Sequence, residues 1–410
     1  MPQAGDSRVI AFLKLILVFT LILVLIRRKV NIGLSLLIAA GFLGLLFQMA
    51  PQDIGQTALA GVIDLSTLDL LAALIFILFL ENVMRKTLIL QRMVSAVTAL
   101  ARDRRLAMAL LPAFVGLLPS VGGAVFSAPM VDEASQGLQL TPERKSFINY
   151  YYRHLWEPIL PIYPSVILVS QILKVPIGNV IIAQLPLSIA AVLAGIPLAF
   201  GGVDTSGLTS TPTNRRKNLS NLAVGLGPIA TVMVLVLALR LNVSLSLLAV
   251  VIALVAINRY TRAQIADLVR EAFSPTIVLL VIGVMVFKGI LQQSGAVQAL
   301  PPFLASVGIP VAAVIFVLPF TVGLMTGVVQ APVAITFPIV AGLSASGTVD
   351  MRTIAFAFAS CFAGVMLSPT HMCFVLTVHH FKADFGKVLR MVLPSEVVIV
   401  LVGALIYVIR

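Results

Sequence analysis

Charge is what this sequence has least of. Only 11% of its 410 residues are Asp, Glu, Lys or Arg, where soluble domains carry about a quarter, and 60% are hydrophobic. A water-soluble globular domain is excluded. Cysteine is nearly absent: Cys361 and Cys373 are the two in the chain and fall in one apolar stretch, so neither a disulfide framework nor a cysteine-based metal site is expected. Four scattered histidines offer no metal-ligand spacing. There is no GxxxxGK followed by Ser or Thr, no HExxH and no GxSxG, which argues against ATP-driven work, zinc-dependent hydrolysis and serine hydrolysis. Neither an enzyme nor a bound cofactor is expected. Alternating segments of about ten residues, the mark of a membrane β-barrel, are missing too.

What remains is long apolar runs. Stretches at 9–26, 31–49, 219–239 and 388–409 are each 18 residues or longer, enough to cross about 30 Å of hydrocarbon as a helix. The chain reads as an all-α polytopic membrane protein with spans near 9–26, 31–49, 66–84, 147–170, 179–200, 219–239, 243–257, 272–290, 353–377 and 388–409. Two further apolar stretches, 106–131 and 308–345, read as re-entrant hairpins, although the second is long enough for two short spans. The first run is expected to stay in the mature protein, because Arg27, Arg28 and Lys29 close it as a stop-transfer flank.

The net charge of +12 follows from topology rather than from a nucleic-acid partner. With the Arg27–Lys29 loop in the cytoplasm, 20 of the 28 Lys and Arg fall on that side and five on the other. That is the positive-inside bias of a cell-membrane protein, and it puts both termini on the non-cytoplasmic side.

The sequence also repeats itself. NIGLSLL at 31–37 returns as NVSLSLL at 242–248, AVTAL at 96–100 as AVQAL at 296–300, LPAFVGLL at 111–118 as LPFTVGLM at 318–325, and KVPIGNVIIAQLP at 174–186 as KADFGKVLRMVLP at 382–394. Four matches in one order, at offsets of 200 to 211, imply a tandem duplication. The expected division is 1–200, a cytoplasmic linker at 201–218, and 219–410. Five crossings per half is an odd number, so the halves insert with opposite orientation. Such inverted-topology repeats build many secondary transporters, with the substrate site where the halves meet.

Both halves are interrupted at matching places. RHLWEPILPIYPSV at 153–166 carries Pro158, Pro161 and Pro164, and MLSPTHM at 366–372 carries Pro369; proline removes a backbone donor and breaks a span. The hairpin stretches LPSVGGAVFSAP at 118–129, with Pro119, and MTGVVQAP at 325–332 show the same chemistry. Non-helical backbone at membrane depth is tolerated where it lines a cavity or is buried in protein, and half-helix N-termini there suit an anion. Candidate substrate contacts are Ser120, Gly122, Gly123, Arg153, Ser165, Thr326, Gly327, Gln330, Thr370 and His371. Glu157 and His154 are the candidate proton carriers, because ionisable groups at depth mark pathways. Arg153 and Glu157 share a helix face and equally suit a structural ion pair.

GGAVFSAPMVDEA, RHLWEPILPIYPS and SPTHMCFVLTVHHFKADFGKVLR together resemble a family of integral-membrane permeases of unassigned activity, grouped with the ion transporter superfamily. The resemblance covers nearly the whole chain. It implies five-plus-five inverted repeats, two re-entrant hairpins, discontinuous spans and often a homodimer, with carboxylates, sugar acids or oxyanions as substrates and sodium or protons as coupling ions. The Ser-Asn-Thr signature of sodium–dicarboxylate members is missing from the hairpin tips, PSVGGA at 119–124 and TGVVQA at 326–331. Proton coupling is therefore favoured over sodium. The expected function is proton-coupled transport of a small organic anion, with membrane lipid as the surrounding partner. A cation/proton antiporter and a non-transporting membrane scaffold remain open.

Overall fold

Helix signals in the sequence are local and strong. Asn31, Asp64, Asp103, Asn214, Asn242, Asp350 and Asp384 each turn a side-chain oxygen onto a backbone N–H in the first turn of the helix that follows, satisfying donors that a helix start leaves unpaired. Thr261 and Gln264 form a complete capping box. Pro51, Pro142, Pro164 and Pro275 stand in first turns, where their missing N–H costs nothing.

A computed structural model describes residues 3–101, 103–119, 123–203, 214–343 and 350–409. All the regular structure among them is helical. In chain order the helices are α1 (Gln3–Arg27), α2 (Ile32–Leu46), α3 (Pro51–Ile63), α4 (Leu65–Lys86), α5 (Ile89–Leu100), α6 (Arg104–Val115), α7 (Gly123–Ala134), α8 (Pro142–Arg153), α9 (Pro164–Leu173) and α10 (Ile177–Phe200). There follow α11 (Arg215–Met233, continued by a π-turn to Ala238), α12 (Val243–Ile257), α13 (Arg262–Ala272), α14 (Pro275–Gln293), α15 (Leu300–Ser306), α16 (Val311–Thr326), α17 (Gln330–Gly342), α18 (Met351–Met366), α19 (Met372–Phe381) and α20 (Phe385–Val408).

Six of these are long and apolar enough to cross a membrane: α1, α4, α10, α11 with its π-turn, α14 and α20. The chain is thus compatible with a membrane protein. The expected span 147–170 is two helices, α8 and α9, separated at 154–163, and 353–377 is α18 and α19, separated at 367–371. The stretch 106–131 holds α6 and α7, and 308–345 holds α16 and α17. Four helices, α3, α5, α13 and α15, fall between the expected spans. They are too short for a search tuned to runs of about 18 apolar residues. The linker expected at 201–218 lies mostly outside the described residues, and α11 already begins at Arg215.

Three pairs of helices ten apart in chain order have equal lengths. α2 and α12 are both 15 residues, α9 and α19 both 10, α10 and α20 both 24. Left-handed residues close the same elements: Lys29 and Arg240 after α1 and α11, Gln48 and Arg259 after α2 and α12, Lys174 and Lys382 at the ends of α9 and α19. Packing is reciprocal. α2 lies on α14 and α12 on α4, α7 on α19 and α17 on α9, α8 on α20 and α18 on α10. α2 and α14 touch backbone to backbone, since a Cβ at Gly33 would fall 2.1 Å from the Leu279 carbonyl oxygen and one at Gly283 2.3 Å from that of Gly33. Lys288 of α14 is buried and donates to the Gln171 carbonyl at 3.2 Å.

Candidate functional site

α8 stops at Arg153 because Pro158 and Pro161 cannot continue the hydrogen-bond ladder. The chain then turns on itself through bonds from Glu157 N to His154 O, Ile159 N to Trp156 O and Tyr163 N to Leu160 O. α6 and α10 hold these turns in place. Trp156 Nε1 donates to the Ala113 carbonyl at 2.8 Å, the Tyr163 hydroxyl to the Gly116 carbonyl, and Ser188 Oγ to the Leu155 carbonyl at 2.9 Å. A Cβ at Gly116 would fall 1.9 Å from the Arg153 carbonyl oxygen, so α6 lies directly on the end of α8.

The second break is built the same way. α18 ends at Met366, whose carbonyl accepts from the Tyr150 hydroxyl at 3.0 Å, and Ser368 Oγ donates to the Leu324 carbonyl at 2.7 Å. Gly327 caps α16 with φ +66°. A Cβ there would meet His371 N at 2.7 Å and Thr370 Oγ1 at 2.8 Å, so both backbone freedom and space require glycine.

These breaks meet. Arg153, 4% exposed, lays its guanidinium against Gly123, the first residue of α7, where an added Cβ would fall 2.7 Å from it. Its Nη1 lies 3.6 Å from Sγ of Cys373, in the first turn of α19. The guanidinium therefore sits between two half-helix N-termini. Asn149 fastens this junction: its amide donates to the Ala124 carbonyl at 3.2 Å and to Thr377 Oγ1 at 2.9 Å, and its oxygen accepts from Ser127 at 2.6 Å. The buried His154 ring packs edge-on to His371, centroids 4.9 Å apart. Its Nδ1 lies 2.6 Å from the Tyr150 carbonyl, and a carbonyl only accepts, so Nδ1 carries the hydrogen. Glu157 is partly exposed, but its Oε2 is sealed off with no hydrogen-bond partner.

A family model matches residues 11–410, spanning both breaks and both halves. The chain belongs to DUF401, a family described as protein of unknown function. A comparison with curated proteins finds no match.

Of the residues picked from sequence, Gly123, Arg153, His154, His371, Gly327 and Thr370 lie at or beside this junction. Ser165 and Gln330 open α9 and α17, which pack against each other. Thr326 bonds back to the Val322 carbonyl of its own helix at 2.8 Å. Pro158, Pro161 and Pro369 lie within the breaks, Pro164 starts α9, and Pro119 follows α6; Ser120 and Gly122 lie outside the described residues.

Sequence reading missed Glu396. It is 1% exposed in the middle of α20, with both carboxylate oxygens lacking a hydrogen-bond partner, and it lies within electrostatic reach of Glu157. It also missed Glu81 and Asn82 of α4 and Asn149 of α8, all buried. The usable signal was present in each case: an ionisable or amide side chain inside an apolar run.

Proposed function

We propose that this protein is a secondary transporter that couples a small organic anion, a carboxylate or sugar acid, to protons by alternating access. The observation that carries this reading is Arg153, a buried cation placed between the N-termini of α7 and α19. A guanidinium binds a carboxylate bidentately, and helix N-termini add N–H donors and a favourable dipole. Glu157, beside it in the same break, is the proton carrier.

The architecture proposed is five spans per half, inserted with opposite orientation, as in the ion transporter superfamily. Equal lengths in three helix pairs, matching left-handed turns and reciprocal packing between α1–α10 and α11–α20 support it. α6 and α7, at 12 residues each, reach about 18 Å at 1.5 Å per residue, short of a 30 Å core, which fits a re-entrant hairpin. α16 and α17 are its counterpart. A non-transporting scaffold has no need of paired broken helices around buried charge. Glu157 and Glu396, from opposite halves and each with carboxylate oxygen sealed off from any hydrogen-bond partner, favour a cation/proton antiporter as the second reading.

Proteoliposomes containing the protein decide between the two. Anion uptake that rises when the driving compartment is made more acidic, and collapses with a protonophore, is the expected result. Proton release driven by an alkali cation, with no anion flux, selects the antiporter. For orientation in the cell membrane, a single cysteine at position 215 is expected to resist impermeant thiol reagents in intact cells, with both termini on the opposite, non-cytoplasmic face. Labelling of 215 from outside overturns the topology.

A further inference from the structure

Three soft donors meet where the broken segments cross: the imidazoles of His154 and His371 and the thiol of Cys373. All three are buried, and each offers one ligand atom within 4.8 Å of the other two. They come from both halves, His154 from the end of α8 and the other two from the start of α19. Both imidazoles are set up as ligands. His154 spends its Nδ1–H on the Tyr150 carbonyl, leaving the Nε2 lone pair. His371 Nδ1 is buried without a hydrogen-bond partner. A backbone carbonyl holding the far nitrogen is the usual outer-shell support of a metal-binding histidine.

We propose that His154, His371 and Cys373 form a site for a thiophilic divalent cation of the Zn2+ class. Bonds of about 2.0–2.1 Å to nitrogen and 2.3 Å to sulfur require the three atoms to draw in by an amount on the order of 1 Å, within the reach of side-chain rotation. Binding breaks the Cys373 S–H bond and forms the S–metal bond, releasing one proton per ion. Arg153, 3.6 Å from this sulfur, is a cation beside a cation. The thiolate formed on binding stands between the two and accepts from the guanidinium. Three protein ligands leave a fourth position open, which makes the ion exchangeable. Because it ties α8 to α19 and occupies the space beside Arg153, it locks one arrangement of the halves and competes with the anion.

The site does not depend on the transport reading, and its test uses no flux. Full-length protein in detergent is titrated with Co2+, which absorbs strongly in the near ultraviolet when a thiolate is a ligand. The expected band saturates at one Co2+ per chain, is displaced by Zn2+, persists in Cys361→Ser and vanishes in Cys373→Ser. Should Cys373→Ser not fold, the band in Cys361→Ser assigns the sulfur, since the chain has two cysteines. Absence of the band in the parent protein, or its survival in Cys373→Ser, overturns the site.

Discussion

Glu157→Gln is expected to abolish proton-driven accumulation of the anion while leaving exchange of labelled for unlabelled anion across the membrane. The amide keeps the shape of the carboxyl but binds and releases no proton, so the loaded carrier still reorients and the coupled step is lost. Arg153→Lys is expected to weaken anion binding by about tenfold to a hundredfold despite keeping the charge, because one or two charge-assisted hydrogen bonds of about 1.5–3 kcal/mol are lost. Flux assays in proteoliposomes separate the two effects. If both variants accumulate and exchange like the parent, Arg153 and Glu157 form a structural lock and the site assignment is wrong. The same assay places Glu396. Under the antiporter reading, Glu396→Gln removes the cation-driven proton release.

Gly116→Ala is expected to damage the site without touching an ionisable group. The new methyl has no room against the Arg153 carbonyl, so α6 must withdraw from the end of α8. That withdrawal strains the Tyr163–Gly116 and Trp156–Ala113 bonds that hold the break. Overpacking of this kind costs about 1–3 kcal/mol, and loss of the turn geometry lowers uptake well beyond the change in stability. Gly227→Ala in α11 is the control, because a Cβ there meets nothing within 4 Å. Thermal melting and uptake read both variants. Equal behaviour of the two contradicts the view that α6 positions the first break.

Much of this was legible in the sequence because the signals are local. Pro158, Pro161 and Pro369 lie in the breaks, although Pro186, Pro197, Pro228 and Pro394 stay inside helices, so a proline alone does not mark a break. NIGLSLL and NVSLSLL place Asn31 and Asn242 alike, and each caps the 15-residue helix that follows. Contacts between halves were not legible. Nothing local says that Asn149 reaches Thr377, that Tyr150 closes the end of α18, or that His154 and His371 pack edge to face. The spacing rule that dismissed a metal site reads ligands along one segment, and this cluster draws on two segments about two hundred residues apart. Glu396 was overlooked for a different reason: a run long enough to span was read as uniformly apolar, and its one acid was not weighed. The helices α3, α5, α13 and α15 escaped because they are shorter than a span.

On the proposed reading, an organic anion binds at Arg153 between two half-helix ends. Thermal melting of the purified protein against carboxylates, sugar acids and oxyanions at two pH values tests it most directly, because a ligand that binds the folded state raises the melting temperature by mass action. At least one carboxylate or sugar acid is expected to stabilise the parent protein in a concentration-dependent way, and to stabilise Arg153→Lys far less. Stabilisation by no anion at either pH, or equal stabilisation of the parent and Arg153→Lys, contradicts it.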